Sequence, residues 1–301
     1  MNIEEYDIIY VFEGNLDNNK RTYEQINELY ELLEENENQK VIVNFKNVNF
    51  LSANLFAVLG ACLSYAISNH GHKIYIADIN SSIKELMCRN GFNKCFNWEA
   101  IEDKYNRCIR YSVFSAETEQ LEEFEKYLLI QIFQHQEIPT MSESYRDRII
   151  DNFLEIFNNV IDHSMSSSVF VCGQFFPKSK SLRFSIVDVG LTFSDKLEEF
   201  YKSNKGEKPK HCIEWAIQSG HSTKTDEPGG LGLTTLLEFL QYNHGRFCIV
   251  SGKEFYDNSD KGTRTMKLKK GFPGTIVTIE ISLKDEKLYL YDDEKEESIV
   301  F

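Results

Sequence analysis

Asp151-Asn152-Phe153-Leu154-Glu155-Ile156-Phe157-Asn158-Asn159-Val160-Ile161-Asp162-His163-Ser164 is the stretch on which the reading of this chain turns. At about 100° per residue, Phe153, Leu154, Ile156, Phe157, Val160 and Ile161 gather on one broad apolar face, which predicts a helix packed on a sheet. The opposite side holds Asn152, Glu155, Asn158, Asn159, Asp162 and His163, without a single Lys or Arg. A surface helix with its polar side in water is the plain alternative. Solvated faces, however, are usually built from Lys, Glu, Arg and Gln, which keep helix propensity, whereas Asn and Asp lower it. Such a stripe is costly unless its oxygens have work to do. Glu155, Asn159 and His163 follow at i, i+4 and i+8 and drift slowly round one face, with Asp162 beside them. A carboxylate one turn from a carboxamide can orient a water and give an oxygen to Mg²⁺, whose shell is otherwise filled by phosphate and water.

Three segments downstream point the same way. Leu182 to Val187 reads as a strand ending in Asp188-Val189-Gly190-Leu191-Thr192. A carboxylate at a strand end can accept a hydrogen bond from an exocyclic amine, and Gly190 lets backbone approach a ring with no Cβ in the way. Next comes the polar, glycine-rich run from Ser219 to Thr234, which leads directly into a helix over Thr234 to Tyr242. Backbone N–H groups ahead of a helix N-terminus make an anion site, so the run reads as a phosphate-holding lid. Gly230-Leu231-Gly232 is no dinucleotide fingerprint: Thr235 stands where the third glycine would be, and no strand runs into it. No Gly-x-x-x-x-Gly-Lys-Ser/Thr occurs, so a P-loop is excluded. Phe247 to Val250 and Thr275 to Ile281 then read as a hairpin around a basic, polar loop from Gly252 to Gly271.

Working outward to the N-terminus, Asp7 to Phe12, Val41 to Phe45 and Lys73 to Ile79 are strand-like. Between and after them Thr22 to Glu35, Ala53 to Asn69 and Ser82 to Arg89 carry helical periodicity, the last behind an Asn80-Ser81 cap. Strand–helix alternation over residues 1–100 implies a small α/β unit. Cys108 to Phe114 is a further strand that could serve either module, within a connecting segment over 101–117. A charged helix over Glu117 to Gln134 follows, then a second helix capped within Thr140 to Ser142 and starting near Glu143. The chain is therefore α/β in two modules, 1–100 and 118–284, with an acidic tail over 285–301.

Composition fits that picture. A hydrophobic share of 42% with 27% charged residues suits a globular chain. No apolar run reaches the length of a bilayer-spanning helix, and the start of the sequence has no secretion-signal pattern. Seven scattered cysteines, never in Cys-x-x-Cys spacing, read as buried reduced thiols, and a cytoplasmic location follows. A formal net charge of −14 argues against nucleic acid as the main partner; the cluster Arg264, Lys267, Lys269 and Lys270 reads as a solvated hairpin.

Taken together, Glu155-x-x-x-Asn159-x-x-x-His163, Asp188-x-Gly190, Gly230-Leu231-Gly232-Leu233 and Gly274-Thr275 resemble the N, G1, G2 and G3 boxes of the GHKL ATP-binding superfamily, in family order over about half of the chain. The resemblance implies an α/β sandwich, a mixed sheet under a helical layer, holding Mg-ATP. In it Asn159 would ligate Mg²⁺, Asp188 would bind the adenine amine, and Thr275 would reach adenine through water. Glu155 would be the general base, and backbone from Gly230 to Leu233 would hold phosphates. Lys224, with Ser222 and Thr223, is added as a lid contact, and Thr192 stands where the family has a second glycine. The N-terminal module is similar to STAS domains: Val41 to Phe45, then Val48 to Ser52 and a helix, follow their strand, phosphoacceptor loop and helix. The usual Asp-Ser-Ser-Gly is replaced by Ser52-Ala53-Asn54, which favours a docking or homodimerisation scaffold over a phosphoacceptor.

Two functions are consistent with these residues. One is an enzyme: ATP hydrolysis, or anti-sigma-type phosphoryl transfer to a protein serine by partner switching with a regulatory protein, Glu155 activating the nucleophile. The other is a nucleotide-dependent binding switch without turnover. A sensor histidine kinase is disfavoured, because the helix Glu117 to Gln134 holds no His and His135 lies only at its end.

Overall fold

A computed structural model describes residues 6–204, 207–218, 233–284 and 287–291. The chain is a mixed α/β protein with a three-stranded parallel sheet, a five-stranded antiparallel sheet and helices. The small sheet, order β1-β2-β3, is formed by Ile8–Glu13, Lys40–Asn47 and Lys73–Ala77. Helices α1 (Lys20–Glu34) and α2 (Leu55–His70) are its crossovers, and α3 (Ser81–Asn90) follows β3. Successive right-handed crossovers between neighbouring parallel strands put both helices on one face.

The large sheet runs β4-β5-β6-β8-β7: Cys108–Ser115, Ser168–Phe176, Ser181–Asp188, Gly262–Ser282 and Arg246–Ser259. Every neighbour pair is antiparallel, which corrects the mixed sheet expected from the family resemblance. Tight connections at 177–180 and 260–261 leave β5–β6 and β7–β8 no room for a crossover, so they must run antiparallel. Cys108–Ser115 belongs to this sheet, as the partner of β5.

Both faces of the large sheet are buried, and the alternation is strict. Val169, Val171, Leu182, Phe184, Ile186, Phe247, Ile249, Val277 and Ile279 point into one core with α4 (Leu121–Leu128), α5 (Glu143–Asn159) and α8 (Thr234–Tyr242). Phe170, Cys172, Val187, Cys248, Val250 and Ile276 point the other way, into the core built by α1 and α2. The layers are thus small sheet, α1 and α2, large sheet, then α4, α5 and α8, and the two halves share a core.

A polar network crosses that shared core. Asn54 Nδ2 donates to Ser185 Oγ at 2.8 Å and to Asn18 Oδ1 at 2.8 Å, while Asn54 Oδ1 accepts from Ser52 Oγ at 2.7 Å. Ser185 in turn lies 2.7 Å from Thr278 Oγ1 on the neighbouring strand. Ser52 has no exposed surface. Ion pairs rim the same contact: Arg183 with Asp17 at 2.6 Å and with Glu280 at 3.2 Å.

Several local expectations are revised. The helix expected over Glu117 to Gln134 is a 3₁₀ turn, then α4, then a π-helical turn over Leu129–Phe133. Strand β5, which no sequence pattern announced, is buried on both sides and lacks apolar–polar alternation. Gly252 to Gly271 is no loop: β7 and β8 continue through it to a tip at Ser259–Gly262. Alternate residues there face two helices, Phe255 against Tyr23 of α1, and Thr265 bonding Glu214 of α7 (Cys212–Ala216). All seven cysteines are free and only Cys95 is exposed. Among the described residues no helix is long and apolar enough to cross a membrane.

Candidate functional site

Helix α5 opens on Ser142, whose Oγ accepts from the Tyr145 N–H at 3.2 Å, as the sequence cap implied. The α-helix ends at Asn159 and continues as a π turn over Val160–Ser164, so the i, i+4, i+8 stripe is interrupted before Asp162 and His163. π turns of this kind recur at functional sites because they re-aim the chain inside a helix. Glu155 and Asn159 remain on the α-helical part, exposed and without a hydrogen-bond partner among the described residues. Asn152 has a different task. It is buried, and its Oδ1 accepts the Leu236 N–H at 2.6 Å, capping the first turn of α8 from a neighbouring helix.

An open groove of about 550 Å³ lies along the first half of α5, lined by Ser144, Asp147, Arg148, Asp151, Thr235 and Tyr291. Ser144, Arg148, Asp151 and Glu155 recur at helical spacing, so Glu155 lies on the same face of α5, one turn past the groove's lining residues. The groove's far wall is the first turn of α8.

The ends of β6, β8 and β7 form the other part of the site. Asp188 pairs with Thr275, and Thr275 pairs with Ser251. The two rows below, Ile186–Val277–Ile249 and Phe184–Ile279–Phe247, are apolar and face α5. Alternation therefore aims Asp188, Thr275 and Ser251 to the α5 side as well, where the apolar ladder turns polar. Asp188 is 3% exposed and its Oδ1 has no hydrogen-bond partner among the described residues. Burial pushes its carboxyl up to about 8, against the pull of hydrogen bonding from Ser164 and from the Thr275 backbone. The Ser164 hydroxyl also lies 2.9 Å from the Val160 carbonyl, so its one proton serves only one of these acceptors at a time.

Two glycines let the segments meet. A Cβ on Gly190 would sit 2.1 Å from the Ser164 carbonyl oxygen, and Leu191 N–H donates to that same oxygen at 2.5 Å. Gly274 has φ +134°, and a Cβ there would lie 2.3 Å from the Asp188 carbonyl oxygen. The end of β6 is thereby pressed against the end of the π turn. From Glu155 to Ser164 is nine residues, or about 13 Å along the helix. Asp188, through Ser164, and Glu155 thus stand at two ends of this stretch of helix and π turn, with Asn159 between them, and the two ends make up the candidate site.

Thr192 is committed elsewhere. Its hydroxyl and its N–H both reach Asp195 Oδ2, at 2.7 and 2.9 Å, and it caps α6 (Phe193–Asn204). Leu233 stands at the N-cap of α8 and packs against the α5-side core. Lys224, Gly230, Leu231 and Gly232, with Ser222 and Thr223, lie outside the described residues. Ser251 is the residue that sequence reading missed. Its Oγ donates to the Gly274 carbonyl at 2.9 Å, accepts from Phe193 N–H at 3.1 Å and lies 3.2 Å from Thr275 Oγ1. Only its place opposite Thr275 could have revealed it.

Among the described residues no cluster of three or more His, Cys, Asp or Glu could hold a metal by itself. A metal here would need oxygens from its own ligand, as Mg²⁺ carried by a triphosphate has. No protein-family model matches the chain, and no curated protein matches it.

Proposed function

We propose that this site binds Mg-ATP in the manner of the GHKL superfamily, and that the protein is a nucleotide-dependent regulatory protein. The observation that carries the reading is the buried, unpartnered Oδ1 of Asp188 at the end of a strand. A buried carboxylate oxygen without a donor is costly, and a ligand amine removes that cost. The adenine amine would meet Asp188, with Thr275 beside it. The phosphates would lie toward the first turn of α8, and Asn159 would give Mg²⁺ a protein oxygen. The metal would neutralise phosphate charge, while the chain's own part is to orient the nucleotide and, through Glu155, a water or a serine hydroxyl.

The N-terminal unit reads as a STAS-like domain docked in cis on the rear of the nucleotide-binding sheet. Burial of Ser52 in the Asn54 network argues against its serving as phosphoacceptor while docked. A partner in trans is then the object of regulation.

A second reading has an observation in its favour. Glu155 is exposed and nothing among the described residues holds its carboxylate in position, as suits a binding switch without turnover. The test is titration of the protein with ATP, with and without Mg²⁺, followed by mass spectrometry of bound nucleotide and of protein phosphorylation. Mg-dependent ATP binding is expected. Failure to bind any adenine nucleotide overturns both readings, and bound ATP that stays intact selects the switch.

A further inference from the structure

The buried end of the site has a hydrogen-bond polarity, and Ser251 sets it. A carbonyl oxygen can only accept, so the 2.9 Å contact from Ser251 Oγ to the Gly274 carbonyl uses the one proton of Ser251. The Phe193 N–H at 3.1 Å occupies one of its lone pairs. The remaining contact, 3.2 Å from Thr275 Oγ1, is then a hydrogen bond that Thr275 must donate. Ser251 is 3% exposed, so no water competes for these bonds. With its own proton turned inward, the Thr275 hydroxyl meets a ligand as an acceptor. Asp188 Oδ1, in the same row, has no hydrogen-bond partner among the described residues, and once the carboxyl is ionised it can only accept.

We propose that Ser251 is a positioning residue that fixes Thr275 as an acceptor and so makes this end of the site select a ring amine over a ring carbonyl. The inference rests on the nucleotide-binding reading above and adds to it the determinant of base choice. A six-amino purine offers two N–H bonds to this row of acceptors. A six-oxo purine places its own acceptor against them, loses both amine bonds and keeps only its N1–H to donate. Three segments converge on Ser251: the turn after β6 through Phe193, the entry to the paired segment of β8 through Gly274, and the Thr275 side chain.

The test is the ratio of dissociation constants for inosine triphosphate and ATP, a ratio that general loosening of the fold leaves unchanged. The wild-type chain is expected to prefer ATP. In Ser251→Ala the Thr275 proton is released and can turn toward the ligand, so the preference should narrow about tenfold. Thr275→Val, which keeps the shape and the Ser251 bonds to Gly274 and Phe193, should narrow it by a similar factor. The double variant should narrow it no further. An unchanged ratio in folded Ser251→Ala, or full additivity in the double variant, overturns the proposal. If Ser251→Ala fails to fold, an unchanged ratio in Thr275→Val overturns it equally. Failure of the wild-type chain to bind either nucleotide sinks the underlying nucleotide reading instead, so the two failures are told apart.

Discussion

The two ends of the site are built on opposite principles. At the sheet end, Asp188 is buried, Thr275 is held by Ser251, and the glycines at 190 and 274 exist so that backbone can close around them. At the helix end, Glu155 and Asn159 stand exposed on α5 with no bond among the described residues to fix them. The first end is preorganised before any ligand arrives. The second takes its geometry from what binds, as Mg²⁺ and phosphates do when they supply most of their own ligands. Recognition of the base should therefore depend steeply on single residues, and handling of phosphate less so.

The largest effect is expected at Asp188. Asp188→Asn replaces the carboxylate proposed to meet the ligand amine, and ATP affinity should fall by about a hundredfold in calorimetric titration. The same variant should be more stable without ligand, by about 1 kcal/mol or more at pH 7, because a costly buried carboxyl is gone. The sign follows from the shift. Folding raises this carboxyl from 3.8 to about 8, so its contribution to stability is greatest below 3.8 and declines as pH rises toward 8. Ligand binding favours the ionised form, so ATP affinity of the wild-type chain should rise with pH up to about 8 and level off above it. A flat binding profile between pH 6 and 8 would break the contrast between the two ends.

The helix end is tested by Glu155→Ala. ATP affinity should change less than about threefold, since an exposed carboxylate without partners contributes little to binding. Phosphate release or serine labelling should drop by about a hundredfold if Glu155 is the base. Turnover that persists at the wild-type rate would exclude that role.

A third measurement compares the two faces of the large sheet. Asn54→Ala leaves Ser52, Asn18 and Ser185 short of partners in the shared core and should cost about 3 kcal/mol in denaturant unfolding. Ser185 points away from the α5 side, so ATP affinity should stay within about twofold of wild type. A large loss of affinity in folded Asn54→Ala would mean that the faces are coupled.

How much of this was legible in the sequence depended on whether a residue's partner is near in the chain. The Asn80 and Ser142 caps, the bounds of α8, and the apolar face of α5 are local patterns, and each could be read. That Asp188 ends a strand could be read as well, but its burial could not. Strand β5 could not be read, because helices from both halves cover it and the alternation that marks a half-buried strand is absent. Ser251 and the Ser52–Asn54 network depend on sheet register and on how the halves dock, which no local pattern encodes. The β7–β8 hairpin could be read from its connection, whereas the pairing of β4 with β5 and of β6 with β8 escaped for the same reason.

The smallest effect concerns Asn152, which joins the two ends through α5. Its oxygen accepts a first-turn N–H of α8 at 2.6 Å, and its Nδ2 donates to the Arg148 carbonyl at 2.9 Å. The polar stripe on α5 reads from its composition as a ligand-binding face, yet this member of it is a cap supplied from outside the capped helix. Asn152→Ala leaves the Leu236 N–H buried without an acceptor and should cost about 1 kcal/mol. Asn152→Asp keeps an acceptor and adds a negative charge at the positive end of α8, so it should recover most of the stability. The same charge would stand near the path proposed for the phosphates. Asn152→Asp should then weaken ATP binding about threefold while leaving adenosine binding as it was. Equal losses for ATP and adenosine would place the phosphates away from the first turn of α8 and so away from the exposed end of the site.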